Sequence, residues 1–413
     1  MNVGFVSTRL AGTDGVSLET AKLATVLQRM GHQVFYCAGE LDPQGPPGML
    51  VPEMHFIHPR ARRIHDEAFA PPAPGDLRER IAAEALELKA ALAAFVERFF
   101  VDVLFPQNAL AIPMHIPLGV ALSDFIAETG IPTVAHHHDL YWERSRFAST
   151  AVPDLLERCF PPDLPSIRHL VINSLAQEAL AQRRGLFACV LPNVFDFETP
   201  LPAPDTFSAN LRPELGLPPD ARLILQPTRV IPRKGIELAI ELVRRLQDPR
   251  LVLVITHPAG DEGMGYLRAL QRLATRAGVD LRYAAGQFGP ARRVASDGSK
   301  TYSLWDAYLW ADFVTYPSLI EGFGNALLET MYFRLPALVN RYPVYAADIA
   351  PLGFDFVEID GKVTDDAVVQ VRRLLDDPTR RREMVEHNFA LARQCFSFAA
   401  AESRLRELLG GLA

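Results

Sequence analysis

Short apolar runs alternate along this chain with longer stretches in which apolar residues recur every three or four positions. The first pattern predicts buried strands and the second predicts helices packed against them. Asn2–Ser7 reads as a buried parallel strand, followed by a loop with Gly12 and Gly15 and a helix from about Ser17 to Met30. Ser17 is the expected N-cap, and Leu18, Ala21, Leu27 and Met30 the expected apolar face. Gly31 stands where glycine commonly ends a helix. Gln33–Cys37 is the next strand, so the chain opens with a βαβ unit, the start of a parallel α/β domain. Residues 42–75, with Pro43, Pro46, Pro47, Pro71, Pro72 and Pro74, read as variable surface near the ligand side. A helix of good formers is predicted from about Asp76 to Phe100. Strands follow at Asp102–Phe105, Thr133–Ala135, Leu170–Ile172 and Val190–Leu191.

Six prolines crowd residues 197–219, which read as a connector. The alternation then restarts, with strands expected at Leu223–Leu225, Leu251–Ile255, Asp280–Tyr283, Phe313–Thr315 and Ala337–Val339. A length of 413 residues suits two domains of about 200 residues each, divided as 1–196, a linker 197–219, and 220–397.

Composition narrows the class. Hydrophobic content of 49% with 22% charged residues is that of a soluble globular protein. Residues 1–195 hold 16 Lys and Arg against 21 Asp and Glu, and the remainder 26 against 28, so neither half offers the basic excess that nucleic-acid binding needs. Cys37, Cys159, Cys189 and Cys395 lie far apart without metal-ligand spacing, which suits reduced thiols in a reducing compartment. Met1–Ser7 lacks a basic leader segment, and the apolar stretch Ala109–Leu122 is interrupted by Pro113, His115 and Pro117. The expectation is a cytoplasmic protein with no stable membrane insertion.

Two stretches of the second half carry the chemistry. In Arg229-Val-Ile-Pro-Arg-Lys234-Gly235, two cations stand five residues apart between an apolar run and a helical pattern. In Glu321-Gly322-Phe323-Gly324-Asn325-Ala-Leu-Leu-Glu329, two carboxylates stand eight apart, with a Gly-Phe-Gly loop between them. A sugar nucleotide calls for this set: cations and helix N-terminal amides for its diphosphate, carboxylates for its hydroxyls. Gly322 and Gly324 allow close backbone approach, and Glu329 falls about one helical turn into the following helix. In the first half, His136-His137-His138-Asp139-Leu140 follows a strand, where ligands approach α/β sheets. Adjacent residues of an extended segment point to alternate sides, so the three imidazoles cannot all face one metal ion. No D-x-D pair is present. Arg144 and Arg146, beside Tyr141 and Trp142, are candidates for contact with an anionic acceptor.

These motifs, in this order and with the Gly12–Gly15 loop and the Pro192-Asn193 turn, resemble the retaining glycosyltransferases of the GT-B fold, specifically family 4. The resemblance covers most of the chain and implies an α/β fold of two Rossmann-like domains facing across a central cleft. It places the donor site chiefly in the second domain and the acceptor site in the first. The last helix, about 398–409, would pack back on the first domain. The implied roles are as follows: Arg229 and Lys234 neutralise the donor diphosphate; Glu321 contacts the transferred sugar; Glu329 contacts the ribose; Gly322, Phe323, Gly324 and Asn325 cradle the nucleotide. Gly15 opens the helix that faces the diphosphate. Adjacent glycines are frequent in that loop of the family, whereas Thr13-Asp14 separates them here. His138 is the implied active-site histidine, with His137 second and Asp139 in place to orient the ring.

The implied reaction is front-face transfer of a hexose from a nucleoside-diphosphate sugar, with retention, to a sugar, polyol or sugar-acid acceptor. No cofactor or metal is required in this reading. A sugar-nucleotide 2-epimerase of the same architecture and a non-catalytic sugar-nucleotide-binding protein are the alternatives. Donor base, acceptor and oligomeric state stay open.

Overall fold

The computed structural model describes residues 1–12, 14–259 and 263–411, and the chain divides into two compact units. The first comprises Met1–Val194 with the segment from Phe398, and the second Phe195–Ser397.

In the first unit the strands are β1 (Asn2–Ser7), β2 (Gln33–Ala38), β3 (Gly48–Leu50), β4 (Val103–Pro106), β5 (Thr133–His137), β6 (Ile167–Val171) and β7 (Ala188–Val190). They form one parallel sheet of order β3-β2-β1-β4-β5-β6-β7. The helices are α1 (Gly15–Arg29), α2 (Pro59–Ala68), α3 (Leu77–Phe99), α4 (Ile116–Thr129), α5 (Pro153–Cys159) and α6 (Ser174–Arg184). Central strands such as β1 and β4 are covered on both faces, which is why they read as unbroken apolar runs.

Several local expectations change. Helix α1 begins at Gly15, and its N-cap is Asp14 rather than Ser17. The Asp14 carboxylate accepts from the backbone of Val16 and Ser17 (3.1 and 3.2 Å) and from the Ser17 hydroxyl (2.7 Å). The buried face of α1 is Leu23, Ala24, Val26 and Leu27 continued by Ser17, Glu19 and Thr20; Leu18 and Ala21, expected on that face, are exposed, and Met30 is half-buried. Residues 42–75 are more than surface. They supply the edge strand β3 and helix α2, whose Ala61, Ile64 and Ala68 join the core with Met54. Pro117, read as an interruption, sits in the first turn of α4, where proline's fixed φ starts a helix. The His115 ring caps that helix by accepting from Leu118 N (3.2 Å).

The second unit contains α7 (Leu211–Glu214), β8 (Arg222–Gln226), α8 (Ile236–Leu246), β9 (Leu251–Ile255), α9 (Gly265–Ala277) and β10 (Asp280–Tyr283). Three short strands, β11 (Phe288–Gly289), β12 (Arg293–Val294) and β13 (Lys300–Ser303), form a small separate sheet. Then come α10 (Leu304–Trp310), β14 (Phe313–Tyr316), α11 (Asn325–Tyr332), β15 (Ala337–Asn340), β16 (Val357–Ile359), α12 (Asp365–Asp376) and α13 (Pro378–Phe396). The main sheet is parallel, of order β10-β9-β8-β14-β15-β16. Residues 197–219, expected as a connector, pack as part of this unit: Ser208, Leu211, Leu215 and Leu217 are buried, and Tyr332 Oη donates to Pro200 O (3.1 Å).

The last helix, α14 (Phe398–Gly410), belongs to the first unit and packs on α1. Phe398, Ala401, Leu405, Leu408 and Leu409 enter the core beside Leu23 and Leu27, with the Arg29 guanidinium 4.9 Å over the Phe398 ring. Among the described residues no helix is long and apolar enough to cross a membrane.

Candidate active site

In an open parallel sheet, ligands bind beyond the strand C-termini where the strand order reverses, because adjacent loops there diverge and leave a crevice. The second unit reverses between β8 and β14. Arg229 and Lys234 follow β8, and the Glu321 loop follows β14. Topology therefore joins motifs far apart in sequence. Lys234 Nζ donates to Glu321 Oε1, and Arg233 lies 3.7 Å from the same carboxylate. The Lys234 and Glu321 side chains are 10% and 9% exposed.

Burial pushes the Lys234 ammonium below its ordinary range, outweighing the opposing pull of Glu321; Arg233 and Arg229 add like charge. Desolvation alone would raise the Glu321 carboxyl, but the charge and hydrogen bond of Lys234, reinforced by Arg233, hold it below the ordinary range. The Glu321 direction favours the charged carboxylate, whereas the Lys234 direction makes its ammonium easier to deprotonate. His257, after β9, is brought down to about 4 by burial and then by the charges of Lys234 and Arg229.

The Gly-Phe-Gly loop has a steric reason for its second glycine. Gly324 adopts φ +138°, and a Cβ there would stand 2.7 Å from Tyr342 Oη. That hydroxyl donates to Phe323 O (2.6 Å) and fixes the loop. Asn325 opens α11, and one turn on, Glu329 Oε2 accepts from Tyr308 Oη (2.8 Å). Gly235, at φ +59°, lets the Lys234 turn approach β14: a Cβ would meet Pro317 O at 2.4 Å.

The first unit reverses between β1 and β4. A pocket of about 230 Å³ opens there, lined by Ser7, Thr8 and Arg9 after β1, Gln107 and Asn108 after β4, and Asp139, Arg144 and Arg146 after β5. The histidine run splits as extended backbone dictates. His136 Nδ1 and His138 Nε2 both approach Gln107 Oε1 (2.9 and 3.1 Å), whereas His137 Nε2 turns away to His169 Nδ1 (2.9 Å). Because an amide oxygen only accepts, His138 carries its proton on Nε2, leaving Nδ1 as acceptor. Burial lowers its pKa to about 4 despite the opposing charges of Asp139 and Asp14, so the ring is neutral at pH 7. Asp139 engages Arg144 (2.5 Å); the group orienting His138 is Gln107. Gly15 forms the first residue of α1, and Thr13 lies outside the described residues. Among the described residues no three His, Cys, Asp or Glu side chains are grouped to hold a metal ion.

Thus Arg229, Lys234, Glu321, Gly322–Asn325 and Glu329 gather in the second unit, and Gly15 and His138 stand beyond the strand C-termini of the first. Sequence reading missed Gln107, Arg9 and Asp14 in the first unit and His257, Arg233 and Tyr308 in the second. A polar Gln-Asn pair directly after an apolar strand was the available signal for Gln107.

Comparison with known proteins decides the family. The glycosyl transferases group 1 model matches residues 207–390, which include every second-unit site residue named above. The mannosylglucosylglycerate synthase of Petrotoga mobilis is 33% identical over 384 residues, covering 88% of this chain and 87% of its own. The chain belongs to the group 1 glycosyl transferases. The Thermotoga maritima protein of the same name is 32% identical over 452 aligned positions, covering 99% of this chain and all of its own. The fold of this group 1 transferase is GT-B. Anabaena Alr3699/HepE, solved with UDP and glucose, superposes with a TM-score of 0.68 at 14% identity over the whole of both chains. Sucrose-phosphate synthase from Thermosynechococcus elongatus gives 0.66 at 16% identity, over all of this chain and 98% of that one.

Proposed function

We propose that this glycosyltransferase moves a hexose, with retention and without a metal ion, from a nucleoside-diphosphate sugar to a hydroxyl of a glycerate-bearing glycoside. The observation that carries the donor half is the convergence of Arg229, Lys234 and Glu321 at the β8/β14 reversal. The acceptor half rests on the name shared by the two full-length relatives, mannosylglucosylglycerate synthase.

The anomeric C–O bond to the diphosphate breaks with its electron pair passing to the departing phosphate oxygen. Arg229 and Lys234 stabilise that growing charge more than the ground state, which is what accelerates departure. The acceptor hydroxyl attacks the anomeric carbon on the same face, and its proton passes to the departing phosphate. Glu321, held ionised by Lys234, accepts hydroxyl donors of the transferred sugar. Glu329, positioned by Tyr308, accepts from the ribose. Neutral His138 offers Nδ1 to a donor-sugar hydroxyl.

The test supplies nucleoside-diphosphate hexoses with glucosylglycerate in excess chelator and reads the product anomer by NMR. Retained configuration and undiminished turnover are expected; inversion, or complete and metal-reversible loss, would sink the mechanism. Glu329→Ala should weaken binding of the bare diphosphate, and Glu321→Ala should chiefly lower turnover. The opposite pattern would reverse their roles.

A further inference from the structure

The pocket at the β1/β4 reversal carries one more positive charge than its own carboxylates match. Arg9 pairs with Asp14 (2.9 Å) and Arg144 with Asp139 (2.5 Å). Arg146 lines the same pocket, and among the described residues no carboxylate lies within ion-pair distance of it. Its guanidinium instead reaches the Met114 thioether (3.1 Å) and lies over the Phe147 ring (4.6 Å). A thioether is a weak acceptor and a poor match for a guanidinium, while the Phe147 stack holds the fork in one orientation. Partial desolvation, and then the charge of Arg144, push Arg146 below the ordinary guanidinium range against the weaker opposing charge of Asp139, and an arriving anion would stabilise the charged form.

A second unmet donor lies in the same pocket wall. Gln107 is fully buried, its Oε1 is shared by His136, His138 and Thr20, and its Nε2 has no partner. Buried polar groups without partners are rare, and Gln107 is one of the residues that line this pocket.

We propose that Arg146 reads the carboxylate of the acceptor, and so makes this transferase selective for a sugar acid over a neutral glycoside of the same shape. The assignment rests on the proposed transferase reading for the acceptor's role, though not for the anion site itself. Charge separates a carboxylate from a phosphate. With Arg9 and Arg144 matched by Asp14 and Asp139, the pocket has one net positive charge, enough for a carboxylate. A phosphate monoester brings about −1.5 to −2 and would leave negative charge unmatched. The planar guanidinium fork also fits two carboxylate oxygens side by side.

The experiment titrates the full chain calorimetrically with glucosylglycerate, glucosylglycerol and inositol 3-phosphate, using wild type, Arg146→Met and Arg146→Lys. A charge-assisted contact predicts that wild type prefers glucosylglycerate to glucosylglycerol by roughly 10- to 100-fold. Arg146→Met should bring that ratio close to one, and Arg146→Lys should keep part of it. A merely structural arginine would weaken both glycosides alike and leave the ratio standing, which overturns the assignment. Tighter wild-type binding of inositol 3-phosphate than of glucosylglycerate would overturn it too. Donor turnover is read in parallel. Its absence in wild type would refute the transferase reading, while the binding ratio still judges Arg146.

Discussion

Glu321→Gln removes one charge from a pair whose partner stays buried. Lys234 is left among Arg229 and Arg233, with its side chain 10% exposed and its ammonium already depressed by burial. Deleting one member of a buried ion pair costs about 3–5 kcal/mol. In a domain of about 200 residues, 1 kcal/mol shifts the melting temperature by roughly 2–4 °C, so a fall of about 6–20 °C is expected. Lys234→Met should cost less, because Glu321 keeps Arg233 at 3.7 Å. The double variant Lys234→Met/Glu321→Gln leaves neither charge stranded and should return to within about 1 kcal/mol of wild type, far from additivity. Its activity should stay lost, which separates stability from chemistry.

The pH dependence has a definite sign. Without Glu321 the folded-state pKa of Lys234 falls further below its unfolded value. Between those two values the unfolded chain binds more protons, so stability rises with pH by up to about 1.4 kcal/mol per unit. Urea denaturation at pH 7, 8 and 9, followed by Trp305 and Trp310 fluorescence, measures all of this. A Glu321→Gln variant within about 1 kcal/mol of wild type at pH 7, with no greater pH slope, would refute the reasoning.

The first unit should be acid-labile: His115, His136, His137, His138 and His169 are all held neutral, chiefly by burial. Their folded pKa values lie below 6.5, so stability falls as pH drops from about 6.5 towards 4, opposed only in part by the burial-raised Glu19, Glu84 and Glu143. A Trp142-monitored urea midpoint that stays constant from pH 7 to 4.5 would contradict this. Gly324→Ala, with φ +138° and Tyr342 Oη 2.7 Å from the new Cβ, should displace the Glu321 loop and weaken nucleoside-diphosphate binding roughly tenfold or more. Wild-type affinity by calorimetry would show that the loop tolerates a side chain. Arg229→Ala and Lys234→Ala should each lower kcat/KM by about 2–4 kcal/mol of transition-state stabilisation, less than additively when combined. Wild-type rates in Lys234→Ala would remove that role.

The central strands were legible because parallel strands buried on both faces carry apolar centres, as Leu223–Leu225 of β8 and Phe313–Val314 of β14 do. The donor motifs were legible from local spacing, yet their pairing was not. Lys234 meets Glu321 only because β14 inserts beside β8, and no short-range pattern encodes that neighbour. Where local rules competed, the wrong one was sometimes chosen. Pro117 starts α4 although it resembles an interruption, and Asp14 caps α1 although Ser17 stands as close to the apolar run. Gln107 escaped notice because its importance lies in three partners, Thr20, His136 and His138, that sequence distance keeps apart.

The return of α14 to α1 sets an order of events during synthesis. The second unit is one continuous segment and can complete its core as soon as Ser397 has emerged. The first unit begins earlier and finishes later: Leu23 and Leu27 wait, with one flank uncovered, until Phe398, Leu405 and Leu409 have been made. For that interval the nascent chain carries a finished module between two parts of an unfinished one, with an apolar groove open to chaperones or to neighbouring chains. A chain truncated after Ser397 should therefore hold a protease-resistant second unit and a first unit still open to cleavage.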